Sequence, residues 1–240
     1  MKFIAIFDSS SVWPSAAQWV KLREDSRLLF AYGWHPKQLL NGTGVNDPVN
    51  WERLNSRLGT EGCVALGEVG LDYSRPQPSR QLQKANLPKL LRLAVKRDLP
   101  IVIHCRDQSP RDTSASDDCL TILKQELRRD QHIHRHCFNG SFAEFKKWRE
   151  AFPHCYFGIT GLATLDRVHP QLSITIDKIP DDRLLLETDA PHLKTAGEVA
   201  PHNSPYLLDK VAKYVAEMRS ISLERLFEIT ARNTRHCYRY

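Results

Sequence analysis

Four residues able to do acid–base or metal chemistry stand at the ends of apolar runs that read as buried strands. Glu68 lies in ALGEVGLDY (65–73), His104 closes PIVIH (100–104), His136 ends IHRH (133–136) and Asp189 ends RLLLETD (183–189). Their separations are 104 − 68 = 36, 136 − 104 = 32 and 189 − 136 = 53 residues. The first two are close to one strand–helix–strand repeat, so neighbouring strands would deliver these side chains to one rim. Two neutral imidazoles and two carboxylates suit a borderline divalent ion such as Zn²⁺ or Mn²⁺, and a more oxygen-rich site would accept Mg²⁺. A lone histidine is more often a satisfied core or surface residue. Recurrence at matching strand ends is what argues for a site.

His132, His134 and His136 alternate and would share one face of a strand. Residues four apart on a strand span about 13 Å, so only His136 is expected at the rim, with His134 deeper and His132 near the bottom. The alternation is therefore not read as a chelating pair. His35, in GWHP, is a further rim candidate, equally readable as a turn residue before proline.

The elements that must position these residues follow the chain. Phe3–Phe7 and Leu28–Tyr32 read as strands, and Ala16, Trp19, Val20 and Arg23 fall at helical spacing between them. Asp47-Pro48 offers an N-cap and a favoured first helical residue. The third strand is expected from Cys63 to Gly67, presenting Glu68 just beyond it, with Gly67 and Gly70 allowing a sharp turn or a close approach. A helix follows with Leu87, Leu90, Leu91 and Ala94 on one face, which Pro88 must kink or begin. The fourth strand ends on His104, and a Ser- and Asp-rich loop from Gln108 to Asp118 leads to the next helix. Further strands are expected near His136, at Cys155–Thr160 and at Arg183–Asp189, with helices after them. That makes seven strand–helix units with near-continuous apolar strands, the pattern of a parallel sheet covered by helices. A closed barrel needs eight.

The 240 residues carry a formal net charge of +6 and a pI near 9.0, which mildly favours a polyanionic partner such as nucleic acid. No run approaches the roughly 18 apolar residues of a membrane span, and the six cysteines show no CxxC. Reduced thiols and an intracellular protein, cytoplasmic or nuclear, are the expectation.

GEVGLDY, IVIHCRD, HRHCFNGS and LLLETDAP, in that order and preceded by GWHP, resemble the TatD family of metal-dependent deoxyribonucleases. The likeness runs from about Phe3 to the last helix. It implies an α/β fold, a distorted (β/α)8 TIM-type barrel, forming a single domain over residues 1–240. It also implies hydrolysis of DNA phosphodiesters, with action on exposed single-stranded ends. By motif position Glu68 would bridge two divalent metal ions (Mg, Mn or Zn), and His104 and His136 would complete one site. Asp189 would belong to the other and take up a proton as the catalytic residue. His35 and Arg106 would lie near the substrate phosphate. The sequence departs from the family at its start. The family's first strand carries a His-x-His pair, whereas this chain has no histidine before His35 and its Phe3–Phe7 strand matches the family's second. One site is thus expected complete, the other depleted. A shortened chain, a one-metal enzyme, and a homologue that binds nucleic acid or a partner without cutting remain open. A small-molecule amidohydrolase is the competing enzyme class, but it would need that His pair.

Overall fold

The structure, a computed structural model, describes residues 2–41, 45–74, 79–109, 112–165 and 170–240. The chain divides into two compact units, Met1–Ile133 with Tyr238–Tyr240, and His134–Cys237. Along the chain seven strands alternate with helices, the TIM-type β/α class expected, and seven is the number found among the described residues.

In the first unit β1 (Phe3–Phe7), β2 (Leu28–Tyr32), β3 (Cys63–Asp72) and β4 (Ile101–Arg106) pair in chain order, all parallel. The connecting helices are α1 (Ala16–Glu24), α2 (Pro48–Arg57), α3 (Ser79–Lys96) and α4 (Ser114–Glu126). Their starts are written locally. Ser15 and Gln18 form a capping box on α1, and Asp47 accepts the Val49 N–H at 2.9 Å ahead of Pro48 in α2. Leu87, Leu90, Leu91 and Ala94 of α3 are buried, as their spacing predicts, each leucine contributing about 1.5–3 kcal/mol by leaving water. Trp34 stacks on Trp13 with ring centroids 6.1 Å apart and fills the space under β2.

Two expectations are corrected here, and one alternative left open for Pro88 is decided. β3 does not stop at Gly67. Its register against β4 slips between Leu66 and Val69 and pairing then resumes to Asp72, so Glu68 sits inside a ten-residue strand at an irregularity. Such an irregularity turns one side chain out of the regular alternation. Pro88 lies inside α3 rather than at its start; the buried leucines on both sides hold the helix together across the missing N–H. The loop expected from Gln108 to Asp118 ends early, because α4 already begins at Ser114.

The second unit carries most of β5 (Ile133–Arg135), then α5 (Phe142–Ala151), β6 (Cys155–Ile159), α6 (Pro170–Lys178), β7 (Leu184–Leu186), α7 (Leu208–Met218) and most of α8 (Leu223–Tyr238). β6 and β7 pair in parallel. β7 is shorter than expected: Glu187 to Asp189 lie beyond it, and Asp189 takes a positive φ of 58°. Arg135 is buried over Trp148 (5.2 Å) and within 3.5 Å of Glu144, which marks it as a packing residue.

Candidate metal sites

In the first unit β3, β4 and the turn after β2 bring His35, Glu68 and His104 together, with their ligating atoms within 4.8 Å of one another. His104 is held on both ring nitrogens. Its Nδ1 lies 2.5 Å from Glu68 Oε1 and its Nε2 lies 3.2 Å from Asp72 Oδ2. Asp72 is the deeper carboxylate, with a fully buried side chain that also meets Lys37 Nζ at 2.9 Å and accepts the Ser74 N–H at 2.9 Å. Burial alone would raise the Asp72 pKa, but His104, Ser74 and Lys37 outweigh it and hold the carboxyl far below the usual range. Burial likewise opposes charge on His104, yet Glu68 and Asp72 outweigh it and shift its pKa upward.

His35 is of a different kind. Its Nδ1 accepts the backbone N–H of Lys37 at 3.1 Å, so the neutral ring carries its proton on Nε2, the atom 3.9 Å from Glu68 Oε1. A ring so fixed donates through Nε2 and has no lone pair there for a metal. Burial, reinforced by the neighbouring His104, lowers its pKa to about 3, so it offers this N–H as a neutral donor. Arg106 closes β4 with an exposed side chain.

In the second unit His136 is again held on both nitrogens. Nδ1 lies 2.6 Å from Glu187 Oε2 and Nε2 lies 3.1 Å from Asp189 Oδ1. His134 Nε2 approaches the same Glu187 oxygen at 3.4 Å. His134, expected deeper than His136, is buried and shares this carboxylate with it. Residues two apart on a strand stand only about 6.7 Å apart, close enough for two rings to meet one buried acid. Burial tends to raise the Glu187 pKa, but the two imidazoles outweigh it and hold the carboxyl far below its usual range. Cys137 stands beside Asp189 in a further group with His136, but burial pushes its thiol up to about 12. Without a bound cation it therefore remains a thiol at neutral pH.

Each unit thus brings one expected histidine to one expected carboxylate, Glu68 with His104 and His136 with Asp189. Reasoning from sequence missed the second carboxylate on each ring, Asp72 and Glu187, together with Lys37 and His134. Both acids stood in plain sight close to the expected ones, four and two residues away in the sequence.

The family model described as TatD related DNase matches residues 2–239. The chain belongs to the TatD family. It is 30% identical over 227 residues to a Bacillus subtilis protein named as an uncharacterized metal-dependent hydrolase, YabD, covering 94% of this chain and 84% of that one. It is 31% identical over 211 residues to the 3'-5' ssDNA/RNA exonuclease TatD of Dickeya dadantii, covering 86% and 75%. The human 3'-5' RNA nuclease TATDN2 is 30% identical over 225 residues, 89% of this chain and 28% of that protein. Among solved structures, the Escherichia coli TatD homologue YJJV superposes with a TM-score of 0.83 at 27% identity, over 100% of this chain and 86% of that one. This TatD member is therefore of a metal-dependent hydrolase family with TIM-type architecture. Its imidazole and carboxylate donors form groups that could hold a divalent ion. No helix among the described residues is long and apolar enough to cross a membrane.

Proposed function

We propose that residues 1–240 act as one hydrolase domain that cuts phosphodiester bonds in nucleic acid, with single-stranded DNA ends as the substrate. The observation that carries this reading is the imidazole held between two carboxylates in each unit of a chain that the family model matches. Glu68, His104, His136 and Asp189 are the proposed metal ligands. The donors fit Mn²⁺, Mg²⁺ or Zn²⁺. A divalent ion held by these residues acidifies water and offsets charge on a phosphoryl oxygen.

The remaining chemistry belongs to the chain's own residues. Asp189, 24% exposed, accepts the proton of the attacking water at its carboxylate. His35 donates its Nε2–H to a phosphate oxygen, and its low pKa keeps that ring neutral across the working range. Arg106 at the end of β4 pairs with a phosphate through its guanidinium fork. Asp72 and Lys37 keep the His104 ring in place.

The test is a titration with Mn²⁺ and Mg²⁺ scored by cleavage of end-labelled single-stranded DNA and RNA oligonucleotides, with His104→Ala and Asp189→Ala in parallel. Metal-dependent trimming of DNA that both variants lose by 100-fold or more supports the reading. Metal binding without cleavage of either polymer would instead identify a non-cutting nucleic-acid binder, and faster trimming of RNA would replace DNA as the substrate.

A further inference from the structure

Glu187 has no role in the reading above, yet it is the most heavily engaged carboxylate in the second unit. Its Oε1 accepts the backbone N–H of Cys137 at 2.5 Å. Its Oε2 meets His136 Nδ1 at 2.6 Å and His134 Nε2 at 3.4 Å. The three side chains are all within 12% of full burial. The backbone is cut to fit them. A Cβ at Gly158 on β6 would lie 2.0 Å from Glu187 Oε1 and 2.4 Å from His134 Nε2, so only glycine leaves room for this contact.

Two arrangements could use such a cluster. His134, His136 and Glu187 have ligating atoms within 4.8 Å and could form a metal triad of their own. That would take His136 through Nδ1 and turn Nε2 away from any ion, although Nε2 is the atom facing Asp189 at 3.1 Å. It would also discard the Glu187 contacts already made to Cys137 and both rings. The alternative uses every contact. Glu187 takes the Nδ1–H of His136, which leaves Nε2 as the one nitrogen for an ion shared with Asp189, and His134 with the Cys137 N–H fixes Glu187 from its other sides. Carboxylates behind a ligating histidine set both its tautomer and its ring angle.

We propose that Glu187 is a positioning residue that presents His136 to metal through Nε2, and that His134 anchors Glu187 rather than binding metal. The proposal rests on His136 being a metal ligand, as read above. It is tested on the full chain labelled with ¹⁵N-histidine, by long-range ¹H–¹⁵N correlation spectra at alkaline pH without metal and then with Zn²⁺. His136 is expected to carry its proton on Nδ1 without metal and to shift at Nε2 on Zn²⁺ addition, with both His134 nitrogens unmoved. Zn²⁺ titration of Glu187→Gln should show a 10–100-fold weaker affinity, with a smaller loss in His134→Gln and partial recovery in Glu187→Asp. A metal shift on a His134 nitrogen, an Nε2–H tautomer of His136, no Zn²⁺ binding by the wild type, or a Glu187→Gln affinity within threefold of wild type would each overturn it. If Glu187→Gln does not fold, the wild-type spectra alone decide. Cleavage plays no part in these readouts. A wild type that binds Zn²⁺ through His136 Nε2 yet cuts nothing would sink the nuclease reading and leave this one standing.

Discussion

Gly70 is where fold and site meet most tightly in the first unit, and Gly70→Ala tests both. Gly70 pairs with His104 across β3 and β4 and has φ 148°, a conformation that L side chains rarely adopt. A Cβ there would sit 1.8 Å from the carbonyl oxygen of His104 and 2.8 Å from its carbonyl carbon, whereas real Cβ contacts essentially never fall below 3.0 Å. The backbone of His104 must therefore retreat by about 1.2 Å, or Gly70 must change conformation and give up the pairing. Overpacking of this kind costs about 1–3 kcal/mol and the forced dihedral about the same again. A total near 4 kcal/mol is expected. For a chain of this size each kcal/mol moves the Tm by about 2–4 °C, so the midpoint should fall by roughly 8–16 °C. Gly197→Ala is the control: its φ is 72°, with nothing within 4 Å of an added Cβ, so only the dihedral preference of about 1–2 kcal/mol is lost. Both variants are measured by thermal unfolding in chelator, then by Mn²⁺ titration. Moving the His104 backbone by about an ångström should also weaken metal binding at least tenfold. A Gly70→Ala protein that melts no lower than Gly197→Ala would refute the steric argument. One that melts low but binds Mn²⁺ normally would remove His104 from the ligand set.

Asp72→Asn leaves Lys37 and His104 without their buried anion; a stability loss of about 2–4 kcal/mol and a 10–100-fold weaker metal affinity should appear in urea unfolding and Mn²⁺ titration. Asn203 donates its side-chain amide to the carbonyls of Thr188 and His192, on either side of Asp189, at 2.6 and 2.5 Å, so Asn203→Ala should lose about 1–3 kcal/mol and slow cleavage while leaving oligonucleotide binding intact. The His35 pKa is about 3 folded against 6.5 unfolded, so the unfolded chain alone takes up a proton as pH falls through 6.5. Its contribution to stability is therefore lost on acidification, by about 2 kcal/mol at pH 5. The carboxylates with lowered values, Asp72 and Glu187, begin to matter only below about pH 5, so metal-free wild type should lose more stability than His35→Gln between pH 7 and 5, and parallel curves would refute the assignment.

Much of this was legible in the sequence, for reasons that can be named. β2 was bounded correctly, and Asp47-Pro48 marked the start of α2, because strand hydrophobicity and N-capping are local signals. Glu68, His104, His136 and Asp189 were singled out because they recur near the ends of apolar runs, which is a matter of spacing. What spacing could not give was the irregularity between Leu66 and Val69, which depends on β4 beside it. Ending β3 at Gly67 put Asp72 into a supposed turn and removed it from consideration as a partner of His104. His134 was set aside on the length of a four-residue stretch, when the relevant distance was that between residues two apart. Glu187 and Asp189 are spaced by two residues, as are His134 and His136, and two such spaced pairs at the ends of apolar runs were the available sign of a shared network. The division into two units could not be read at all, since it depends on contacts remote in the chain.

The two clusters follow one rule, and the rule bears on how each would respond to added metal. Each central imidazole faces one outer carboxylate and one inner carboxylate. The inner one is the more buried of the two side chains, 0% exposed for Asp72 against 9% for Glu68, and 12% for Glu187 against 24% for Asp189. A carboxylate removed from water must keep its hydrogen-bond partners, so its position is fixed by the fold. An exposed one can reorient around an ion at little cost. The supports are thus made from β3, β4 and the segments around β5 and β7, with partners such as Lys37, Ser74, His134 and the Cys137 N–H that owe nothing to a preceding strand. The rings are thus held in place whatever number of ligands completes an ion's shell. A weak enzyme of this architecture should therefore be limited by the number of ions it holds and should recover with rising Mn²⁺ concentration, whereas one limited by a slack site would saturate with metal and stay slow.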